Sequence, residues 1–331
     1  MDTVFHPSSF LHALLLAALG LALLAGGGEL LVRGAISTSR LLRVSPVVIG
    51  LTIVALATSL PELAVSLLAA FRGSPDVAVG NVVGSNLFNI SFIVGISALL
   101  IPPLHFRSSK TPADVGVMVA AAIALIAMGW NGWFGRWEGV VFLTGLVVYL
   151  WWRVRTSRRD EDEGELATAA REVIEPHGKK PRGIMMSLLL ILAGAGLLTA
   201  GAEWLVKGAI FIAREKGISE RVIAVTLVSG GTGLPELATA VVAGIRRQSA
   251  VSIGNVIGSN IFNVLGILGM VSIVKPIPAA EKIIHQDALW MLGISLLILI
   301  PVLKPTRIAS RVDGALLLAA YAAYLVWLFR F

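Results

Sequence analysis

Two glutamates carry the chemistry that this sequence can do. Glu62 and Glu236 each follow a proline, in Thr58-Ser59-Leu60-Pro61-Glu62 and Thr232-Gly233-Leu234-Pro235-Glu236, and each lies well inside an apolar run. A charged side chain at membrane depth costs roughly 2.5–3.5 kcal/mol on insertion scales, so two in matched settings point to a functional site. A proline removes the hydrogen bond to the carbonyl four residues back, which frees the carbonyls of Ala57 and Gly231. Inside a bilayer such a carbonyl must line a cavity or meet a partner, and a cation is a suitable one. Thr58, Ser59 and Thr232 add hydroxyl oxygens beside the same prolines. Gly230, Gly231 and Gly233 ease local unwinding.

More oxygen follows downstream, where the pattern Gly-Ser-Asn-x-Phe-Asn occurs twice. Ser85 and Asn89 are four residues apart and share a helical face, and Ser259 and Asn263 repeat the arrangement. Asn81 and Asn255, eight residues earlier, fall near that face. The glycines at 80, 84, 254 and 258 permit close helix approach as readily as anything else. The donors are carboxylates, amides, hydroxyls and carbonyls, with no His or Cys among them. An all-oxygen set with adaptable geometry suits hard cations, Ca²⁺ first and Na⁺ next. The candidate ligands are therefore Glu62, Glu236, Asn89, Asn263, Thr58, Ser59, Ser85, Thr232 and Ser259. Two glutamates are neutralised by one Ca²⁺, or by monovalent ions or protons, and a neutral site crosses a low-dielectric barrier more easily than a charged one. One site filled by turns with Ca²⁺ and its counter-ions makes an antiporter.

The rest of the chain must hold these residues in a membrane. Of 331 residues, 56% are hydrophobic and 14% charged, with a mean hydropathy of +0.85. Soluble domains carry about 25% charged residues, so a cytosolic enzyme is excluded. Zero cysteines exclude disulfides, iron–sulfur clusters and thiolate zinc. The net charge of +7 reads as Lys and Arg in cytoplasmic loops rather than as a nucleic-acid surface. His6, His12, His105, His177 and His285 are scattered and suggest no metal site. Ser85 and Ser259 have no neighbouring base, so no hydrolase pattern emerges. No cofactor and no obligate protein partner are expected.

Apolar runs of about 20 residues match a bilayer core. Ten are found, at roughly 10–32, 45–70, 78–101, 113–130, 138–153, 184–210, 219–244, 251–274, 286–303 and 312–329. The long polar stretch 156–182 reads as a linker. About two thirds of the 27 Lys and Arg residues fall in the linker or in loops on its side of the membrane, counting Arg33, Arg40, Arg43 and Arg153 as loop residues. This places the linker in the cytoplasm and both termini outside. Trp130, Trp133, Trp137, Trp151, Trp152 and Trp327 sit near span ends, as interfacial anchors do. Asp76, Asp114, Asp287 and Asp313 are expected near loops. No cleavable signal is evident.

A constant offset of 174 relates the halves. TSLPELA at 58–64 meets TGLPELA at 232–238, VGNVVGSNLFN at 79–89 meets IGNVIGSNIFN at 253–263, and Glu29 with Arg33 meets Glu203 with Lys207. The last two are i,i+4 ion pairs of structural rather than chemical character. Five spans per half means that the second half enters the membrane upside down. The expected fold is an all-α membrane protein of ten transmembrane helices in two inverted five-helix repeats, with residues 1–155 and 183–331 flanking the linker 156–182. Sites in such folds lie near the midplane, where helices are broken.

With these motifs in hand, the chain resembles the cation/calcium exchanger superfamily, in particular prokaryotic sodium/calcium exchangers. The resemblance rests on GLTIVALATSLPELAVS…GNVVGSNLFN within 50–90 and TLVSGGTGLPELATA…GNVIGSNIFN within 224–264, and covers the membrane portion. It implies alternating access and a diamond of sites centred on Glu62, Asn89, Glu236 and Asn263. Thr58, Ser59, Ser85, Thr232 and Ser259 match the surrounding oxygens, and the first helix of each half slides as a gate. It also implies a secondary active antiporter exchanging Ca²⁺ for Na⁺ in a prokaryotic inner membrane. Gly233 stands where the family usually has a hydroxyl, which keeps an H⁺/Ca²⁺ or other cation antiporter open. Asn263 stands where potassium-dependent relatives carry Asp, which argues against K⁺ co-transport. A cation channel is the reading from another class.

Overall fold

The computed structural model describes residues 7, 9–100, 104–106, 111–160, 183–217 and 229–330. Eleven helices hold almost all of them: α1 (Phe10–Leu42), α2 (Pro46–Thr58), α3 (Leu60–Phe71), α4 (Pro75–Leu100), α5 (Thr111–Gly129) and α6 (Arg136–Asp160), then α7 (Ile184–Glu215), α8 (Leu234–Ile245), α9 (Ser249–Val274), α10 (Ile283–Leu303) and α11 (Arg311–Arg330). Eight of these are long and apolar enough to cross a membrane, and α2 with α3 forms a ninth span bent by 45°. Of the expected span 219–244, residues 219–228 lie outside the described residues. Its remainder is the turn Ser229–Gly231 and α8. The expected linker lies outside them too, apart from its first residues, which continue α6 to Asp160.

Proline sets the bend between α2 and α3. Pro61 cannot donate to the Ala57 carbonyl, the helix opens at Ser59, and it restarts with Pro61 in its first turn. The same device starts α8 after Gly233, with Pro235 in the first turn. Both glutamates thereby fall in the first turn of a new helix.

α4 and α9 form the centre. Of their spanning residues 78% and 83% are buried, against 22–39% in the other six long helices, whose outer faces are left for lipid. Both widen into a π-type turn directly at the Phe-Asn of the repeated motif, at Phe88–Ile93 and Phe262–Leu268. Such turns gather at functional sites because they turn side chains off the regular helical faces. α9 crosses α2 closely: a methyl at Gly254 would lie 2.6 Å from the Val47 carbonyl oxygen, and one at Gly258 would lie 2.7 Å from Leu51 Cα.

The longest helices, α1 and α7, pack antiparallel along a ladder of small residues. Gly20 meets Gly201, Gly27 meets Gly194, Gly34 meets Ser187, and Gly208 meets Ala13. A methyl at Gly27 or Gly34 would lie 2.8 Å from the facing carbonyl oxygen. The rungs recur every seven residues, the spacing that keeps one seam facing a partner in a left-handed pair. Ser187 also donates to the Ser37 hydroxyl at 2.7 Å.

Two short antiparallel ribbons tie the halves together. β1 (Leu104–His105) pairs with β4 (Ile308–Ala309), and β2 (Trp133–Phe134) pairs with β3 (Ile277–Pro278). Each ribbon joins a loop of one half to a loop of the other.

Several expectations are corrected. Arg33 and Arg40 are not loop residues: α1 runs on to Leu42, and only Arg43 caps it, at φ 51°. Arg33, ion-paired with Glu29 one turn back, and Thr38, whose hydroxyl bonds the Gly34 carbonyl, sit in this added length. Arg153 is not a loop residue either. It is fully buried in α6 and paired with buried Asp114 of α5 at 2.8 Å, and Tyr149 donates to the same carboxylate at 3.0 Å. A matching pair lies in the second half, where Tyr324 of α11 donates to Asp287 of α10 at 3.2 Å. Asp313 is buried and bonded to Lys304 and Ser310.

Candidate functional site

The fold brings the two proline breaks together in its interior. Glu62 and Glu236 are 1% and 0% exposed. Ser59, at the break of the first half, donates to Glu236 Oε1 of the second at 3.1 Å. Thr58, whose hydroxyl also faces Glu236, reaches Asn255 Oδ1 at 3.1 Å. The two halves therefore build one cluster, each lending side chains to the other.

The remaining sequence-chosen residues line the same interior. Ser85, Asn89, Ser259 and Asn263 are all buried. Asn263 Nδ2 donates to Asn86 Oδ1 at 3.0 Å, and Asn86 Nδ2 donates to the Asn260 carbonyl at 3.2 Å. These bonds fix how α4 and α9 cross. Asn81 is a supporting group: its amide bonds the Glu62 carbonyl at 3.1 Å and the Ser66 hydroxyl at 3.0 Å, anchoring α4 to α3.

Many oxygens of the cluster are left over. Among the described residues, both carboxylate oxygens of Glu62 meet no hydrogen-bond partner outside their own residue. Glu236 Oε2, Thr232 Oγ1, Ser259 Oγ, Asn263 Oδ1 and both amide atoms of Asn89 are buried without a partner as well. Buried polar groups are almost always paired, and an unmade bond costs about 1–3 kcal/mol. A cluster of unpaired acceptors around two carboxylates is arranged for a ligand that brings positive charge. The Ala57 carbonyl freed by Pro61 lies at the C-terminal end of α2, where the helix dipole favours cations. Among the described residues the side chains of the cluster that could ligate a cation offer oxygens, which fits a hard cation and not a soft one.

Sequence reasoning missed two residues here, Asn86 and Asn260. Each stands between a chosen Ser and a chosen Asn, and no spacing rule separates a ligand from the residue that positions it. Their signal was the identity of all three polar residues in both copies of the motif. Of the four motif glycines, Gly254 and Gly258 are packing residues against α2. Gly84 meets nothing within 4 Å, and Gly80 only the tip of Ile283.

Among the described residues, eight long apolar helices and one bent pair around a buried acidic, oxygen-lined cluster define a multi-pass integral membrane protein that handles cations. Comparison with known proteins gives the same class. The family described as sodium/calcium exchanger protein matches residues 12–155 and 186–330. Sodium/calcium exchanger MaX1 of Methanosarcina acetivorans is 30% identical over 95% of this chain and 98% of its own. Inner membrane protein YrbG of Escherichia coli is 30% identical over 96% and 97%. Among solved structures, the sodium-calcium exchanger NCX_Mj superposes with a TM-score of 0.78 at 32% identity, covering 95% of this chain and 97% of that one. This chain belongs to the sodium/calcium exchanger family.

Proposed function

We propose that this chain is a secondary active antiporter that exchanges Ca²⁺ for Na⁺ across the membrane by alternating access. The observation that carries the reading is the pair Glu62 and Glu236, buried together with most of their oxygens unclaimed by protein. Ca²⁺ is held by the two carboxylates with Asn89 and Asn263. Thr58, Ser59, Ser85, Thr232 and Ser259 supply the surrounding oxygens for Na⁺. The names and ion conditions of MaX1 and NCX_Mj agree with this pairing of ions.

The architecture we infer is ten helices in two inverted five-helix repeats, 1–155 and 183–331. The sequence offset of 174, the mirrored proline breaks, the mirrored π-type turns, the two Tyr–Asp bonds and the crossed ribbons all support it. Residues 156–182 then form a cytoplasmic linker, with both termini outside, in a prokaryotic inner membrane. α1 and α7 are the elements that slide past the site.

The test is calcium-45 uptake into proteoliposomes loaded with Na⁺. An outward Na⁺ gradient should drive uptake, and uptake indifferent to it rejects Na⁺ coupling. A second reading, H⁺/Ca²⁺ antiport, is favoured by Gly233, which lacks the hydroxyl that Ser59 supplies on the other side. It requires uptake that follows a pH gradient in Na⁺-free buffer.

A further inference from the structure

The cluster is built by two repeated motifs, yet it is not symmetric, and the asymmetry has a steric cause. Ser59 and Gly233 occupy equivalent positions with nearly the same backbone, φ −87°, ψ 6° and φ −81°, ψ 0°. Any residue adopts these angles, so the backbone does not demand glycine at 233. A side chain is excluded for another reason. A Cβ on Gly233 would lie 2.6 Å from Phe88 Cδ1 and 2.7 Å from Cε1, well inside van der Waals contact. The Phe88 ring fills the place where a mirror-image serine would begin.

The position of that ring follows from a second exchange of glycine and phenylalanine. In the second half Phe262 lies over Gly266, where a Cβ would be 2.8 Å from its Cδ2 and Cε2. The residue equivalent to Gly266 in the first half is Phe92. Phe88 cannot lie down as Phe262 does. It stacks on Phe92 instead, with centroids 4.9 Å apart, and meets Tyr321 edge-on at 6.1 Å. The aromatic stack thus holds Phe88 against Gly233. On the other side of the site, Ser59 gives Glu236 a hydroxyl at 3.1 Å. Its counterpart would be a hydroxyl beside Glu62, whose carboxylate oxygens have no partner outside their own residue among the described residues.

We propose that Phe88 is a specificity-determining residue: with Gly233 it closes the flank of Glu62 and removes one monovalent-cation position, so the site binds one Na⁺ fewer than its mirror-symmetric form would. A small hard cation needs several oxygens, and a ring edge carries hydrogens where a lone pair is required. The divalent position between the carboxylates keeps its donors. This inference rests on the antiport reading for its meaning in transport, and Na⁺ binding tests it independently.

The experiment compares wild type, G233S, F88A and F88A/G233S in proteoliposomes, reading calcium-45 uptake against internal Na⁺. Na⁺ bound by the purified proteins is measured by calorimetry. G233S alone should lose roughly tenfold or more in uptake, because added bulk in a packed site strains it. F88A should transport. F88A/G233S should recover uptake with a steeper Na⁺ dependence and bind one further Na⁺. F88L/G233S serves if the alanine variant fails to insert. A double variant with wild-type Na⁺ binding overturns the proposal, and so does G233S that transports as wild type. If the wild type ignores Na⁺ gradients while the double variant follows them, Na⁺ coupling of the native protein fails and the role of Phe88 stands.

Discussion

Ser59 of the first half donates its hydroxyl proton to Glu236 of the second at 3.1 Å, across 177 positions of sequence. The bond makes each half incomplete without the other, because a carboxylate rooted in α8 is oriented by the break between α2 and α3. Ser59→Ala should leave Glu236 without that donor, a loss of about 1–3 kcal/mol for a buried charged acceptor. Calcium uptake should weaken roughly five- to a hundredfold in apparent Na⁺ or Ca²⁺ affinity while the protein still inserts. Concentration series for both ions read it directly.

Glu62→Gln and Glu236→Gln should each abolish calcium exchange with membrane insertion intact. Each substitution keeps the shape and removes one of the two charges that balance a divalent ion in a low-dielectric site. Wild-type transport in either variant would end the assignment of the cluster.

Asp114 and Arg153 predict a stability effect away from the site. Removing one member of a buried ion pair leaves the other charge stranded, at a cost of about 3–5 kcal/mol. Asp114→Asn should lower the unfolding temperature in detergent sharply. The apolar double replacement D114L/R153M should recover much of the loss, since both charges then leave together. A double variant no better than the single would show that the pair is not a closed unit.

The ladder between α1 and α7 gives a paired comparison. A methyl at Gly27 would lie 2.8 Å from the Gly194 carbonyl oxygen, inside van der Waals contact, whereas at Gly26 a methyl would meet nothing within 4 Å. Gly27→Leu should therefore destabilise by at least the 1–3 kcal/mol typical of overpacking. Gly26→Leu, one residue away and facing outward, should be close to neutral. Thermal unfolding of the two variants decides it.

Much of this was legible in the sequence, for identifiable reasons. The Pro-Glu pairs and the two Gly-Ser-Asn-x-Phe-Asn copies were visible because proline and buried carboxylates are costly in apolar helices and have few structural uses there. The register of 174 brought matching residues into one frame. Arg153 was misplaced because hydropathy treats any arginine as a loop residue, and its partner Asp114 is 39 positions away with no local signal. The true length of α1 was hidden by charges that pair along their own helix, as Arg33 does with Glu29. Phe88 could not be read at all as a neighbour of Gly233. Their contact depends on Phe92 and Tyr321, and only packing reveals which way a ring is pushed.

The sevenfold rhythm between α1 and α7 has a mechanical corollary. A shift of one helix along the other keeps glycine against glycine only after a whole repeat, about 10.5 Å at 1.5 Å per residue. A half-repeat step would set larger side chains such as Leu24, Leu31, Ile191 or Leu198 against the backbone that the glycines now meet. The close packing keys the two rods together like a shaft in a spline, so a displacement of one against the central helices should carry the other with it.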